Sequence, residues 1–447
     1  MTTTGKLGNG TILEPNILPE NHAPGGRETA RRPWGVLSGI VLGAWESHVH
    51  GEGPDGSTQP AKETRAGHAG LDQHEPTSLR GISHRAKESK DHRFRNLNQC
   101  LNAEFLRECW QDLNKDAASG VDGVTAAHYQ ENLDANIQDL VRRLKTGCYR
   151  AKLVRRCYIP KDDGKERPLG IPALEDKLVQ LACAKLLNAI FEEDFLDFSK
   201  GYRPDRSAKE TVSDLTFNLQ YGCYGYIVEA DIKGFFDTID HDWLLDMLAQ
   251  RIDDQAFLHL IRKWLKAGIL DTDGKILDPE TGTPQGGVIS PILANVYLHY
   301  ALDLWFEKGV KKHARGEAMM CRYADDFVCA FRFKDDAENF YRVLPERLGK
   351  FGLEVAPEKT QILRFSRFHP GMKRGFTFLG FEFYWLPDRQ GEMRVTRRTS
   401  RNKLQGACRR IKEWIRDNRH LKGICANLRQ VLEKQSERLQ IFPRSTE

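Results

Sequence analysis

The sequence has ten cysteines but no Cys-x-x-Cys pair and no Cys/His cluster at zinc-ligand spacing. A structural zinc site of the usual kind is therefore excluded. The cysteines are scattered through apolar segments, as in chains kept reduced in a cytosol. No stretch reaches the roughly 18–20 apolar residues that span a bilayer. Val36 to Trp45 is a short apolar run, with neither the basic start nor the cleavage site of a signal peptide. There is no internal repeat. Strands and helices are mixed without the regular alternation of a parallel, doubly wound sheet, which leaves an α+β core.

What is present is a chain of 447 residues, 40% hydrophobic and 29% charged, long enough for two or three domains. Its net charge of +5 is unevenly spread. Arg394 to Glu447 holds 15 Lys and Arg against 5 Asp and Glu, so the remainder is net acidic. A basic block on a near-neutral body suits a polyanionic partner, although a solvated helical face has the same composition. Residues 1–77 are rich in Gly, Pro, Thr, His and charge, and read as a disordered leader. Helical spacing of apolar residues then covers 96–114 and returns at 129–145. Residues 148–172 read as a hairpin turning at Asp163-Gly164. Further helices are expected at 173–191, at 241–252 with Asp240 as N-cap, after Ser290-Pro291 with Ser290 as N-cap, and at 336–351. Strands are expected at 224–231, 360–365 and 376–384.

Cys321 to Phe331 places two adjacent aspartates inside a strand-like apolar run. Neighbouring strand residues point to opposite faces. Asp325 and Asp326 can therefore converge only at a bend, which predicts a β-hairpin with the pair at its tip. Such a pair alone is an ordinary polar turn. Its company changes the reading, because Asp231 ends a second apolar strand. Carboxylates at two neighbouring strand ends are what two-metal phosphoryl transfer needs, since Mg²⁺ takes hard oxygen ligands. Asp237 and Asp240 compete for that role but read better as turn and cap residues.

The motifs together resemble the reverse transcriptases encoded by bacterial group II introns. Tyr-Ala-Asp-Asp at 323–326 is preceded by Thr-Pro-Gln-Gly-Gly-Val-Ile-Ser-Pro at 283–291. Arg-Pro-Leu-Gly-Ile-Pro (167–172), Gly-Tyr-Arg-Pro (201–204), Ala-Asp-Ile-Lys-Gly-Phe-Phe-Asp (230–237), Glu-Lys-Thr (358–360) and Phe-Leu-Gly-Phe (378–381) follow the family's order over about residues 78–420. The resemblance implies a right-hand polymerase fold: fingers and palm with an antiparallel sheet, and a partial helical thumb. It divides the chain into a helical fingers extension (78–140), a fingers and palm domain (141–384) and a basic partial thumb with a truncated maturase region (385–447). It implies two Mg²⁺ held by Asp231, Asp325, the supporting Asp326 and the Ile232 carbonyl. Phe236 stands where such polymerases place an aromatic gate against a ribose 2′-OH, and Gln285 where a residue lines the incoming nucleotide. Gly286-Gly287 fits close approach of backbone to a ligand. Lys161 and Arg167, on opposite arms of the expected hairpin, would hold a triphosphate, with Lys359 nearby. Arg409, Arg410, Lys412 and Arg416 lie opposite the apolar row Leu404, Ala407, Cys408, Ile411, Trp414 and Ile415, as in a thumb helix facing nucleic-acid phosphates.

The partners implied are an RNA template (a group II intron RNA), a DNA primer and dNTPs, in a bacterial cytoplasm at the nucleoid and with no membrane. A homodimer is left open. The resemblance departs after the first thumb helix, where relatives continue into a region used to bind intron RNA. The sequence therefore predicts an incomplete thumb, a missing or degenerate maturase region and no C-terminal nuclease domain. An RNA-directed DNA polymerase is the main reading. A non-catalytic intron-RNA-binding maturase and an inactive remnant are the alternatives. A retron or diversity-generating enzyme fits Thr-Pro-Gln-Gly and Tyr-Ala-Asp-Asp-Phe less well.

Overall fold

Phe327 to Phe331 is apolar without alternation, as expected of a strand covered on both faces. The computed structural model, which describes residues 78–160, 166–371, 374–418 and 431–432, places it at the centre of such a sheet. The leader 1–77, Lys161, the Asp163-Gly164 turn and the region expected to contain a maturase remnant beyond Asn418 lie outside the described residues, apart from 431–432.

The chain opens with α1 (Leu79–Glu88), α2 (Ala103–Asp112), α3 (Ala126–Gln130) and α4 (Leu133–Lys145). A strand pair follows, β1 (Val154–Pro160) and β2 (Glu166–Ile171), then α5 (Leu174–Phe191) and α6 (Ala208–Tyr221). After β3 (Tyr226–Ala230) come α7 (Phe235–Thr238), α8 (His241–Ala249), α9 (Gln255–Leu265), β4 (Ile269–Leu270) and β5 (Ile276–Leu277). Then come α10 (Ser290–Leu298), α11 (Lys311–His313), β6 (Ala318–Tyr323), β7 (Asp326–Phe331) and α12 (Lys334–Gly349). The last elements are β8 (Gln361–Arg364), β9 (Phe376–Phe378), β10 (Phe381–Pro387), β11 (Met393–Thr399) and α13 (Arg401–Asn418). Helices mixed with largely antiparallel sheets make this the expected α+β fold. No described helix is long and apolar enough to cross a membrane.

Among the described residues three sheets form, ordered β2-β1-β4-β5, β6-β7-β3-β8 and β11-β10-β9. In the second, Phe327, Cys329 and Phe331 point into the larger core with Phe340 of α12. Val328 and Ala330 point into a second core with Leu215 of α6 and Phe376, Phe383 and Trp385 of the third sheet. Period-two alternation is therefore present, but both destinations are apolar. Local signals fix the helix starts. Asn102, Ser207, Asp240 and Asp254 each accept an amide from two or three residues into their helix, satisfying donors that would otherwise be orphaned.

Several expected boundaries shift. The helix expected at 96–114 begins as a 3₁₀ turn at Leu97–Cys100 and restarts at α2. The strand expected at 376–384 is a hairpin, because Leu379 and Gly380 both take positive φ and turn the chain. β11 lies in the 385–447 stretch expected to be thumb, yet it pairs with β10 along its full length, so the 384/385 boundary falls inside β10. Ser290 is not an N-cap. It is the first helical residue, and its hydroxyl meets the Pro284 carbonyl and Thr283 Oγ1 instead.

A charged cluster beneath the β6–β7 hairpin is fully buried. The Arg322 guanidinium grips both oxygens of Asp303, at 2.8 and 2.6 Å. It also donates to Asn295 Oδ1, Ser199 Oγ and the Ala324 carbonyl. Asp303 comes from His299–Asp303, where the helix after α10 widens into π turns, a deviation common at functional sites. Arg322 and Asp303 are both 0% exposed. Burial pushes the Asp303 carboxyl up while the Arg322 fork pulls it down. Asp303→Asn would leave a buried guanidinium without its counter-charge, so it is expected to cost about 3–5 kcal/mol. A urea unfolding series on the two proteins checks this; coincident midpoints would show that the pair is not holding the core.

Candidate active site

The β6–β7 hairpin closes through a two-residue loop, since Tyr323 pairs with Asp326. The tip is thus Ala324-Asp325, and Asp326 is the first strand residue. This corrects the expectation of both aspartates at the tip. Ala324 adopts φ 60°, a conformation hairpin loops usually give to glycine. The Arg322 bond to its carbonyl, at 2.8 Å, pins the loop. Gly201 presses on the same loop: a Cβ there would lie 2.2 Å from the Ala324 nitrogen.

β3 runs antiparallel to β7 with Ala230 opposite Phe327. One step further, Asp231 and Asp326 are brought to the same sheet end. The Asp231 carbonyl accepts the Ala356 amide at 2.8 Å, and the Lys233 amide donates to Glu354. Neither bond uses the Ile232 carbonyl. Lys359, in the short turn Pro357–Lys359, places its ammonium 2.5 Å from Asp231 Oδ2. Partial burial raises Asp325, reinforced by the Asp231 charge and opposed by Arg167 and Lys359. Asp326 touches solvent, yet the protein around it and the charges of Asp325 and Asp231 push it up to about 6. The three carboxylates therefore share one electrostatic site, and Arg167 on β2 faces it from the fingers.

The loop 282–287 is stitched to the segment after β3. The Thr283 amide donates to the Phe236 carbonyl and the Gly282 amide to Ile239. Phe235 is core, while Phe236 is half-buried with its ring edge-to-face against Tyr202. The Gln285 carbonyl accepts the Gly170 amide of β2 at 2.6 Å. Gly286 has φ 108°, and a Cβ there would lie 2.7 Å from the Gly170 carbonyl. A Cβ at Gly287 would lie 2.7 Å from Ser290 Oγ. The close approach expected toward a ligand is thus made toward neighbouring protein. Asp240 is a helix cap, as expected.

A family model described as reverse transcriptase (RNA-dependent DNA polymerase) matches residues 159–383. The chain belongs to the reverse transcriptase family. It is 36% identical over 308 residues to Protein YkfC of Escherichia coli (strain K12), covering 62% of this chain and 78% of that protein. It is 35% identical over 273 residues to the group II intron-encoded protein LtrA of Lactococcus lactis subsp. cremoris, covering 60% of this chain but 41% of LtrA. It is also 22% identical over 211 residues to the mitochondrial Nuclear intron maturase 4 of Arabidopsis thaliana, covering 45% of this chain and 25% of that protein. The likeness read from the ordered motifs, to group II intron reverse transcriptases, is borne out.

In this member of the family, no group of three His, Cys, Asp or Glu side chains among the described residues stands ready to hold a metal. The Lys359 ammonium sits on Asp231 instead. The donor set nevertheless fits Mg²⁺: three carboxylates and one backbone carbonyl are all hard oxygens, and Asp325 and Asp326 are raised first by burial and then by the neighbouring carboxylate charges. On α13 the expected packed face is only partly realised. Gly406 and Ala407 are buried, whereas Leu404, Cys408 and Ile415 are exposed. Arg409, Lys412 and Arg416 are exposed, Arg416 pairing with Asp417, and Arg410 is half-buried. Sequence reading gave no role to Arg322, Asp303 or Tyr202. An arginine inside a buried strand was the available signal for the first.

The raised Asp326 carboxyl gives a pH test. Its pKa in the folded protein exceeds the unfolded value of about 3.9, so folding disfavours the ionised form. That cost is absent below about pH 4, grows as pH rises toward 6, and is complete above it. In chelator, Asp326→Asn is expected to unfold at a higher temperature than the parent at neutral pH. The two proteins should converge near pH 4. A gap that stays constant across this range would show that Asp326 does not carry the charge imbalance.

Proposed function

We propose that this protein is an active RNA-directed DNA polymerase of the group II intron type, extending a DNA primer on an RNA template. The observation that carries the reading is the convergence of Asp231, Asp325 and Asp326 at the ends of β3 and β7, facing Arg167. Asp231, Asp325 and the Ile232 carbonyl would hold two Mg²⁺, with Asp326 in support. When bound, these ions supply Lewis-acid stabilisation of the attacking 3′-oxygen and the leaving pyrophosphate.

The chain's own residues do the rest by positioning and electrostatics. Arg167, with Lys161, binds the triphosphate as a cationic finger. Lys359 pairs with Asp231 from an exposed position and would turn to the triphosphate when one is bound. Phe236 crowds the 2′ position of the incoming sugar, and Gln285 lines the nucleotide from a loop fixed to β2. Arg409, Arg410, Lys412 and Arg416 on α13 bind nucleic-acid phosphates, which fixes register without reading sequence. The partner that fits the names of the relatives is a group II intron RNA. Within the chain, 78–140 acts as the fingers extension and the stretch from 141 through β11 as fingers and palm, with a basic thumb beginning at α13.

The test is primer extension by purified protein on an RNA template with Mg²⁺ and dNTPs. Asp325→Ala is expected to lower the rate by at least about a hundredfold, as for loss of a main electrostatic stabiliser. Equal, background incorporation by parent and variant would replace this reading with the non-catalytic one.

A further inference from the structure

Tyr202 is the third large aromatic at this site, and nothing in its immediate packing requires it. Its backbone takes φ 59°, a strained conformation for a bulky non-glycine residue that persists only where neighbours enforce it. They do so on both sides. Gly201 is wedged against the Tyr323–Ala324 backbone and its carbonyl accepts Asn295 Nδ2 at 2.8 Å. Arg203 is buried and bonded to Glu192 and to the Leu196 and Ser199 carbonyls. Between these two locked residues Tyr202 is 47% exposed, so burial of its ring does not explain the strain. The ring instead stands edge-to-face on Phe236, with centroids 6.4 Å apart and planes at 71°. Partial burial raises its hydroxyl, with Asp325, Tyr323 and Asp326 adding to the shift and Arg167 opposing it, so the ring shares the field of the hairpin tip and of β2.

We infer that Tyr202 is a positioning residue for sugar selection: its ring, set on a locked backbone, fixes the Phe236 ring against the 2′ position of the incoming nucleotide. This rests on the polymerase reading and on Phe236 as the gate. Phe235, buried behind Phe236 at 5.4 Å, supports the gate from the core. Tyr202 supports it from the solvent side, where no other aromatic contact to Phe236 is present among the described residues. A half-buried ring held on one side only could rotate away from a ribose. An aromatic edge on the other side denies it that path.

The experiment compares dATP and ATP on an RNA template with a DNA primer. The two readouts are the ratio of kcat/KM values and the ratio of binding constants on a chain-terminated primer. Tyr202→Ala is expected to narrow discrimination about three- to tenfold, the worth of one aromatic edge contact, chiefly by tightening ATP binding. Tyr202→Phe keeps the ring and is expected to keep the ratio. Phe236→Val separates the failures. If it collapses discrimination while Tyr202→Ala leaves the ratio unchanged, the inference is overturned and the gate stands. If Phe236→Val changes nothing, the gate and the inference fall together. A parent protein that binds neither nucleotide overturns the polymerase reading itself, and the inference with it. Should Tyr202→Ala lower the unfolding midpoint, Tyr202→Leu, which gives bulk without an aromatic edge, serves the same comparison.

Discussion

The Arg322 guanidinium has five N–H donors, and the structure uses all five. Two go to Asp303, one each to Asn295, Ser199 and the Ala324 carbonyl. A charged fork at 0% exposure is tolerated only when every bond is made. The five acceptors therefore behave as a set. They come from the segment before Gly201, from α10, from the π-widened turn after it and from the hairpin tip. A pair of buried charges adds little net stability compared with packed apolar groups. What it adds here is geometry: the carbonyl behind Asp325 is tied to three separate elements.

That geometry has an electrostatic cost above it. Three carboxylates sit at one sheet end, and two of them are pushed up by burial and mutual repulsion. Lys359 and Arg167 offset part of this, but Lys359 is 63% exposed, where an ion pair is strongly screened. The palm sheet can carry the imbalance because it is braced on both faces. β7 sends Phe327, Cys329 and Phe331 to one core and Val328 and Ala330 to the other. A strand anchored twice cannot slip by one residue without exchanging both sets of side chains. The register that brings Asp231 beside Asp326 is fixed by hydrophobic burial, and the acids inherit their positions from it.

The aspartates were legible in the sequence because three independent signals agreed: a carboxylate ending an apolar strand, an Asp-Asp pair between two others, and an ordered set of motifs around them. What escaped was whatever depends on a residue far along the chain. Arg322 and Asp303 are 19 positions apart, so neither announces the other. Leu379 takes a positive φ inside an aromatic run that reads as one strand, and only the pairing of Phe381 with Phe378 reveals the turn. The arginines of β11 read as a nucleic-acid surface, yet Arg398 pairs with Glu382 across the strand and Arg397 bonds Thr216 of α6. Gly286 shows the limit most clearly. Its sequence context demands a close backbone approach but cannot say toward what, and the approach is to Gly170.

That contact also links the parts of the site that come from different elements. The Gly170 amide bonds the Gln285 carbonyl, Thr283 bonds Phe236, and Phe236 meets Tyr202. Tyr202 follows the glycine that presses on the hairpin tip. The chain of contacts therefore runs from the finger strand carrying Arg167, through the loop carrying Gln285, to the aromatic pair and back to Asp325. Two of the links are backbone bonds, which lose little precision to side-chain freedom. If catalysis here rests on positioning, an angular error at β2 is passed to the sugar pocket before it reaches the carboxylates. Selectivity for the sugar should accordingly be more sensitive to the finger's seating than the chemistry at the acids, since the hairpin tip is tied separately by Arg322 and the register of β3 on β7 is set by burial.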